Sequence, residues 1–174
     1  MGLSGSKWNK LDQTGIKGKK LGMKSLNGEY KITLDDKGRV SLPTKIRAAL
    51  DDNTLMLTKG EDGCLWLYPM DEWRALIQQV RGSSSPFKAD SRILKRRLIG
   101  PAQDVEIDKA GRIAIPQTLR EYADLVRDCI VLGQDDYVEI WNADRYKAYL
   151  DGSEEEYKTA SEKLGNALLR EKDA

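Results

Sequence analysis

Two residue pairs in this chain have the types and spacing for recognition chemistry, Asp35…Arg39 and Asp108…Arg112. Each is an Asp-x-x-x-Arg with a glycine, Gly38 or Gly111, directly before the arginine. Aspartate and glycine favour a tight turn, so each arginine is expected at the base of a hairpin with its guanidinium free to leave the sheet. A guanidinium fork fits phosphate oxygens and the guanine edge. The same pair can instead be an ion pair that staples the hairpin, adding little stability if exposed. Spacing alone supports both readings equally, and they are compatible. Little other chemistry is open. The 174 residues contain no histidine, which excludes histidine-assisted nucleophiles and imidazole metal ligands. The two cysteines, Cys64 and Cys129, cannot form a tetrathiolate site. Each sits beside an apolar run and reads as a buried, reduced thiol. No catalytic residue, metal site or cofactor is expected.

The elements that must position those arginines come from a duplication. Shifting the chain by 73 residues aligns a run of identities without a gap, nine of which mark the repeat. Asp35, Gly38, Arg39, Pro43, Arg47, Gly60, Asp62, Asp71 and Ala75 meet Asp108, Gly111, Arg112, Pro116, Arg120, Gly133, Asp135, Asp144 and Ala148. Apolar positions follow, among them Val40/Ile113, Leu42/Ile115 and Ile46/Leu119. Each copy reads alike. Tyr30, Ile32 and Leu34 alternate with polar residues as in a half-buried strand. A turn through Asp35–Gly38 leads to a strand at Val40 and Leu42. Pro43 ends that strand and opens a short helix. Leu55–Leu57 and Leu65–Tyr68 predict two further strands about a Gly60–Gly63 turn. Trp73, Leu76, Ile77 and Val80 then mark an amphipathic helix. One unit of about fifty residues is marginal alone, so the two copies are expected to share a core about a pseudo-two-fold axis.

Lys and Arg number 29 against 28 Asp and Glu, a formal net charge of +1, yet the charge is segregated. Residues 1–28 hold six lysines and one aspartate, and residues 81–99 hold six bases and one aspartate. Residues 151–174 carry seven acids and four bases. Local charge of this kind permits a polyanion partner.

Gly28-Glu29-Tyr30, Asp35-x-Lys37-Gly38-Arg39-Val40-x-Leu42-Pro43, Leu65-Trp66-Leu67-Tyr68-Pro69…Glu72-Trp73, Arg96-x-Leu98-x-Gly100-x-Ala102 and Asp108-x-x-Gly111-Arg112 together resemble the MraZ family, part of the AbrB-like swapped-hairpin superfamily. The resemblance runs from about Gly28 to Leu150. It implies a mainly β fold with short helices (α+β), a tandem duplicated AbrB-like swapped-hairpin β-barrel with pseudo-two-fold symmetry. It also implies a ring-shaped homo-oligomer that binds direct repeats upstream of the division and cell-wall gene cluster and represses it. Arg39 and Arg112 take the family's DNA-contact position, with Asp35, Gly38, Asp108 and Gly111 supporting the hairpin turns. Lys37 matches a basic residue expected to touch phosphate. The second copy departs there: Ala110 stands at that position and Lys109 one residue earlier, so weaker contact is expected from copy two. Arg47, Arg120 and Lys45 read as solvated or interface residues rather than readers.

The chain is accordingly divided into a basic flexible extension (1–27), repeat 1 (28–80), a loop and basic helix (81–101), repeat 2 (102–150) and a charged helical tail (151–174). The extension reads as dispensable, with Met23 as an alternative start, or as a basic arm attracting phosphate. Its Met1–Ser6 myristoylation-like pattern is short enough to arise by chance. The run Arg92–Arg97 is favoured as a solvated helix face over DNA contact or pairing with acidic groups of a neighbouring subunit. The tail stripe Tyr157, Ala160, Leu164 and Leu168 either packs on a neighbour or is solvated. The expectation is a cytoplasmic, nucleoid-associated regulator with double-stranded DNA and itself as partners, no membrane and no small-molecule substrate. The alternatives are an AbrB-like antitoxin or global regulator, against which the complete tandem copy argues, and an oligomeric interaction scaffold whose arginines are structural.

Overall fold

A computed structural model describes residues 25–174. The expectations for the basic extension, for Met23 and for the Met1–Ser6 pattern fall outside these residues, except for the last three positions of the 1–27 stretch. Of those, Leu26 is buried and exchanges backbone hydrogen bonds of 2.8 Å with Asp135.

Copy one contributes β1 (Glu29–Thr33), β2 (Arg39–Ser41), α1 (Thr44–Ala48), β3 (Thr54–Lys59), β4 (Leu65–Pro69) and α2 (Met70–Gly82). A short α3 (Ala89–Leu94) and a π-helical turn at Lys95–Ile99 connect it to copy two. Copy two repeats the order as β5 (Gln103–Glu106), β6 (Arg112–Ala114), α4 (Gln117–Tyr122), β7 (Asp128–Gly133), β8 (Val138–Asn142) and α5 (Ala143–Gly152), and α6 (Glu154–Lys172) follows. Local chemistry sets the boundaries. Pro43, Pro69 and Pro116 each directly precede a helix, where a missing N–H costs nothing. The duplication reaches the backbone: Asp62 and Asp135, equivalent by the 73-residue offset, both adopt positive φ (63° and 69°) in the turns before β4 and β8.

The copies interlock. In the six-stranded sheet, ordered β1-β7-β8-β4-β3-β5, only the antiparallel pairs β3–β4 and β7–β8 lie within one copy. Strand β1 pairs with β7, β5 with β3 and β4 with β8, all across copies. Strands β2 and β6 form a separate two-stranded ribbon, also across copies. Each copy thus supplies ladder partners that the other lacks, and neither completes its sheet alone. The two sheets are open, with β1 and β5 at the edges of the larger one, and do not close into a barrel. Between them lies one apolar core containing Val40, Leu42, Ile46, Leu55 and Leu57 from copy one with Ile113, Ile115, Leu119, Val131 and Ile140 from copy two, each 3% exposed or less. The alternating strand patterns place these side chains inward. No helix among the described residues is long and apolar enough to cross a membrane.

Candidate nucleic-acid interface

The ribbon places the two arginines together. Its register pairs Arg39 with Ala114, Val40 with Ile113 and Ser41 with Arg112. Directly opposed residues share a face and neighbours along a strand alternate. Val40 and Ile113 are fully buried, so Arg39, Ser41, Arg112 and Ala114 share the outer face. Arg39 and Arg112 are diagonal neighbours there, with Cα atoms about 7–8 Å apart by sheet geometry. Backbone bonds extend the ribbon symmetrically at both ends, Leu42 N donating to Gly111 O and Ile115 N to Gly38 O, each at 2.9 Å.

Both turns are built the same way. At copy one, Asp35 Oδ1 accepts from the backbone N–H of Lys37 (3.0 Å) and of Arg39 (2.8 Å), while Arg39 Nε donates to Asp35 Oδ2 at 2.8 Å. At copy two, Asp108 Oδ1 accepts from Ala110 and Arg112 N–H, both at 2.9 Å, and Arg112 Nε donates to Asp108 Oδ2 at 3.0 Å. The backbone N–H of Arg39 and of Arg112 is the chief cause holding the respective aspartate below the ordinary carboxylate pKa. Each arginine is therefore tied at Nε, and its side chain stays partly exposed, 27% at Arg39 and 34% at Arg112. Gly38 and Gly111 close the turns at φ 75° and 78°, the left-handed region that glycine enters without strain. Lys37 and Lys109 lie exposed at the two tips, as does Ala110.

Arg47 and Arg120 have a place the sequence reading did not assign them. Each crosses the pseudo-two-fold axis onto the turn glycine of the other copy. A Cβ at Gly38 would collide with the Arg120 guanidinium, and one at Gly111 would lie 2.6 Å from Arg47 Cζ. Arg47 Nε also donates to Leu42 O at 3.1 Å. The signal was present, since Arg47 and Arg120 are among the nine identities, but their spacing along a helix says nothing of a glycine in the other copy. One further pair of cations thus borders the arginine ribbon.

Glu139, which sequence reasoning passed over, organises the opposite side of the six-stranded sheet. Its carboxylate accepts from Trp66 Nε1 (3.2 Å), Trp141 Nε1 (3.2 Å), Gln134 Nε2 (3.0 Å) and the Cys64 thiol (3.3 Å). Cys64 and Cys129 are buried and unpaired. Burial pushes the Cys64 thiol far up, with the Glu139 carboxylate adding to it, and pushes Cys129 up to about 11. Both remain protonated and poor nucleophiles near neutral pH. Among the described residues no group of three or more Cys, Asp or Glu side chains is arranged to hold a metal ion. The basic run Arg92, Lys95, Arg96 and Arg97 is exposed, and the turn carrying it is pinned by buried Leu98, whose carbonyl accepts from Thr58 Oγ1.

Interlocked copies, cross-paired ribbons and paired Asp–Arg turns define a duplicated AbrB-like swapped-hairpin protein. The family model described as "MraZ protein, putative antitoxin-like" matches twice, at residues 26–97 and 98–167. Among curated relatives, a protein of Treponema denticola named transcriptional regulator MraZ is 48% identical over 140 residues, covering 80% of this chain and 97% of the relative. Its counterpart in Treponema pallidum strain Nichols is 44% identical over 145 residues (83% and 97%), and that of Natranaerobius thermophilus 37% over 137 residues (79% and 94%), both carrying the same name. The chain belongs to the MraZ family.

Proposed function

We propose that this chain is a cytoplasmic, nucleoid-associated transcriptional regulator, not an enzyme, that binds double-stranded DNA through the outer face of the β2–β6 ribbon. One observation carries the reading: the ribbon register places Arg39 and Arg112 on one solvent face, each braced at Nε by its aspartate. A two-stranded ribbon fits the major groove, where an arginine fork can take the guanine O6/N7 edge. Lys37 and Lys109 at the tips reach phosphate. The aspartates and turn glycines support this placement, so the staple and the reader are one device. The names of the relatives support the regulator reading.

A single ribbon offers few phosphate contacts and so modest, strongly salt-dependent affinity. Several ribbons held in a ring-shaped homo-oligomer on direct repeats would raise the effective concentration of each successive contact without new chemistry. We propose that arrangement, acting as repression upstream of the division and cell-wall gene cluster. The sequence division into repeats at 28–80 and 102–150, a linker at 81–101 and a tail at 151–174 belongs to the same proposal.

The test is a salt titration of binding to the DNA upstream of the chain's own operon. Wild type and Arg39→Ala/Arg112→Ala are compared, with light scattering run in parallel. The expected result is a steep log–log slope, about −0.9 per phosphate neutralised, lost in a variant of unchanged mass. Equal binding by both, or by neither, would leave the Asp–Arg pairs as hairpin staples and make the protein an interaction scaffold.

A further inference from the structure

Helix α6 is the largest element with no role above. Every residue from 154 to 172 is exposed, including Tyr157 (70%), Leu164 (61%) and Leu168 (52%). A 19-residue helix standing in water is marginal on propensity alone, and Gly165 inside it weakens it further. Comparison of the copies shows why it stands clear. The 73-residue offset lays 162–172 on 89–99, the segment of α3 and the π-helical turn. In copy one that segment folds back on the sheet through buried Leu98 and the bond from Thr58 Oγ1 to its carbonyl. In copy two the equivalents are Glu171 and Val131. The apolar anchor has become a carboxylate and the hydroxyl donor a hydrocarbon, so α6 has lost its seat on its own sheet while keeping an apolar stripe.

That stripe has a pairing code. Tyr157, Ser161, Leu164 and Leu168 recur at steps of four, three and four, the spacing of a helix–helix seam. Ala160 and Ala167 border it on one side and Gly165 on the other, side chains small enough for close approach. Charge is unevenly divided. Residues 154–163 hold four glutamates and two lysines, whereas 164–172 hold Arg170 and Lys172 against Glu171. We infer that α6 pairs antiparallel with α6 of a second copy. Tyr157 then meets the partner's Leu168, and Ser161 meets the partner's Leu164, giving four layers related by a two-fold axis. The acidic half of each helix lies beside the basic half of the other, and the helix dipoles oppose. A parallel pair would stack the two acidic halves. A helix about 28 Å long makes a contact at the small end of specific interfaces, so association depends on concentration. The pairing does not rest on the DNA reading.

The experiment uses the full chain. Light scattering compares wild type, Leu164→Glu/Leu168→Glu and Leu169→Glu, the last an exposed position off the stripe (61%). The stripe variant is expected to halve the mass of the assembly while Leu169→Glu preserves it. The urea midpoint of the core should be unchanged, because every α6 residue from 154 to 172 is exposed on its own chain, whereas the helical circular dichroism of the stripe variant should fall as the unpaired α6 frays. Tyr157→Cys and Leu168→Cys chains are then oxidised mildly, each alone and mixed; buried Cys64 and Cys129 do not compete. A disulfide dimer in the mixture and not in either chain alone is expected. Unchanged mass in the stripe variant overturns the inference. So does cross-linking of Tyr157→Cys with itself, which would mean a parallel pair. A mass loss without the mixed disulfide also overturns it, in favour of α6 seated on the body of the second copy.

Discussion

The two hairpin turns share one geometry and differ in charge. Both hold an aspartate accepting two backbone N–H groups and one arginine Nε, and both close on a glycine at φ near 75°. Copy one carries Asp36 and Lys37 between the aspartate and the glycine, whereas copy two carries Lys109 and Ala110. The opposing arginines differ as well: Arg120 against Gly38 is half-buried, and Arg47 against Gly111 is exposed. Duplication has therefore preserved what the fold needs, a braced turn, and relaxed what surrounds it. The residues at the tips are free to set how strongly each turn meets a polyanion.

The sharpest way to break the equivalence is to remove one arginine at a time. Arg39→Ala and Arg112→Ala should each cost about 1–3 kcal/mol of DNA binding, measured by fluorescence anisotropy. The larger loss is expected at Arg39, whose turn has Lys37 directly before the glycine where copy two has Ala110. Equal losses would mean that the two turns read as one symmetric unit.

Stability separates the turns next. Gly38→Ala and Gly111→Ala force a non-glycine residue into the left-handed region, at about 1–2 kcal/mol each. At Gly38 the half-buried Arg120 must also move, whereas Arg47 can swing into water. The urea midpoint should fall further for Gly38→Ala, and adding Arg120→Ala to that variant should recover part of the loss. An identical shift at both glycines would show that the crossing arginines are held loosely.

Lys37→Ala and Lys109→Ala each remove one expected phosphate contact. Each should flatten the log–log salt slope by about 0.9 with little change in sequence preference. An unchanged slope for Lys109→Ala alone would mark copy two as the structural partner.

The smallest effect is acid sensitivity. Asp35 and Asp108 titrate below the ordinary carboxylate value in the folded chain. The stability they contribute is therefore complete above the unfolded value of about 3.9. It is lost as pH falls through the lower folded values. Thermal midpoints should be flat in this respect from pH 7 to 5 and decline below about pH 4. Asp35→Asn/Asp108→Asn should be less stable at neutral pH and show a shallower decline.

Much of this protein was legible residue by residue. The 73-residue repeat, the Asp–Gly turns, the period-2 strands and the proline-led helices are encoded locally: φ restriction at proline, positive φ at glycine and side-chain alternation act within a few residues. They predicted tight turns before Arg39 and Arg112 and the helix through Trp73 and Val80, and the structure has α2 over Met70–Gly82. The hairpins expected about those turns are not formed, because β1 and β5 join the larger sheet while β2 and β6 pair with each other. The order β1-β7-β8-β4-β3-β5 was not legible, because an alternating strand pattern specifies which face is buried and is indifferent to which strand lies alongside. For the same reason the expectation of a barrel gave way to two open sheets. The contacts of Arg47 with Gly111 and of Arg120 with Gly38 were hidden too, since each joins residues more than sixty positions apart. Sequence alone determined the turns and the core faces. Tertiary structure decided that the copies interlock, and so that two arginines from separate turns share one face of a single ribbon.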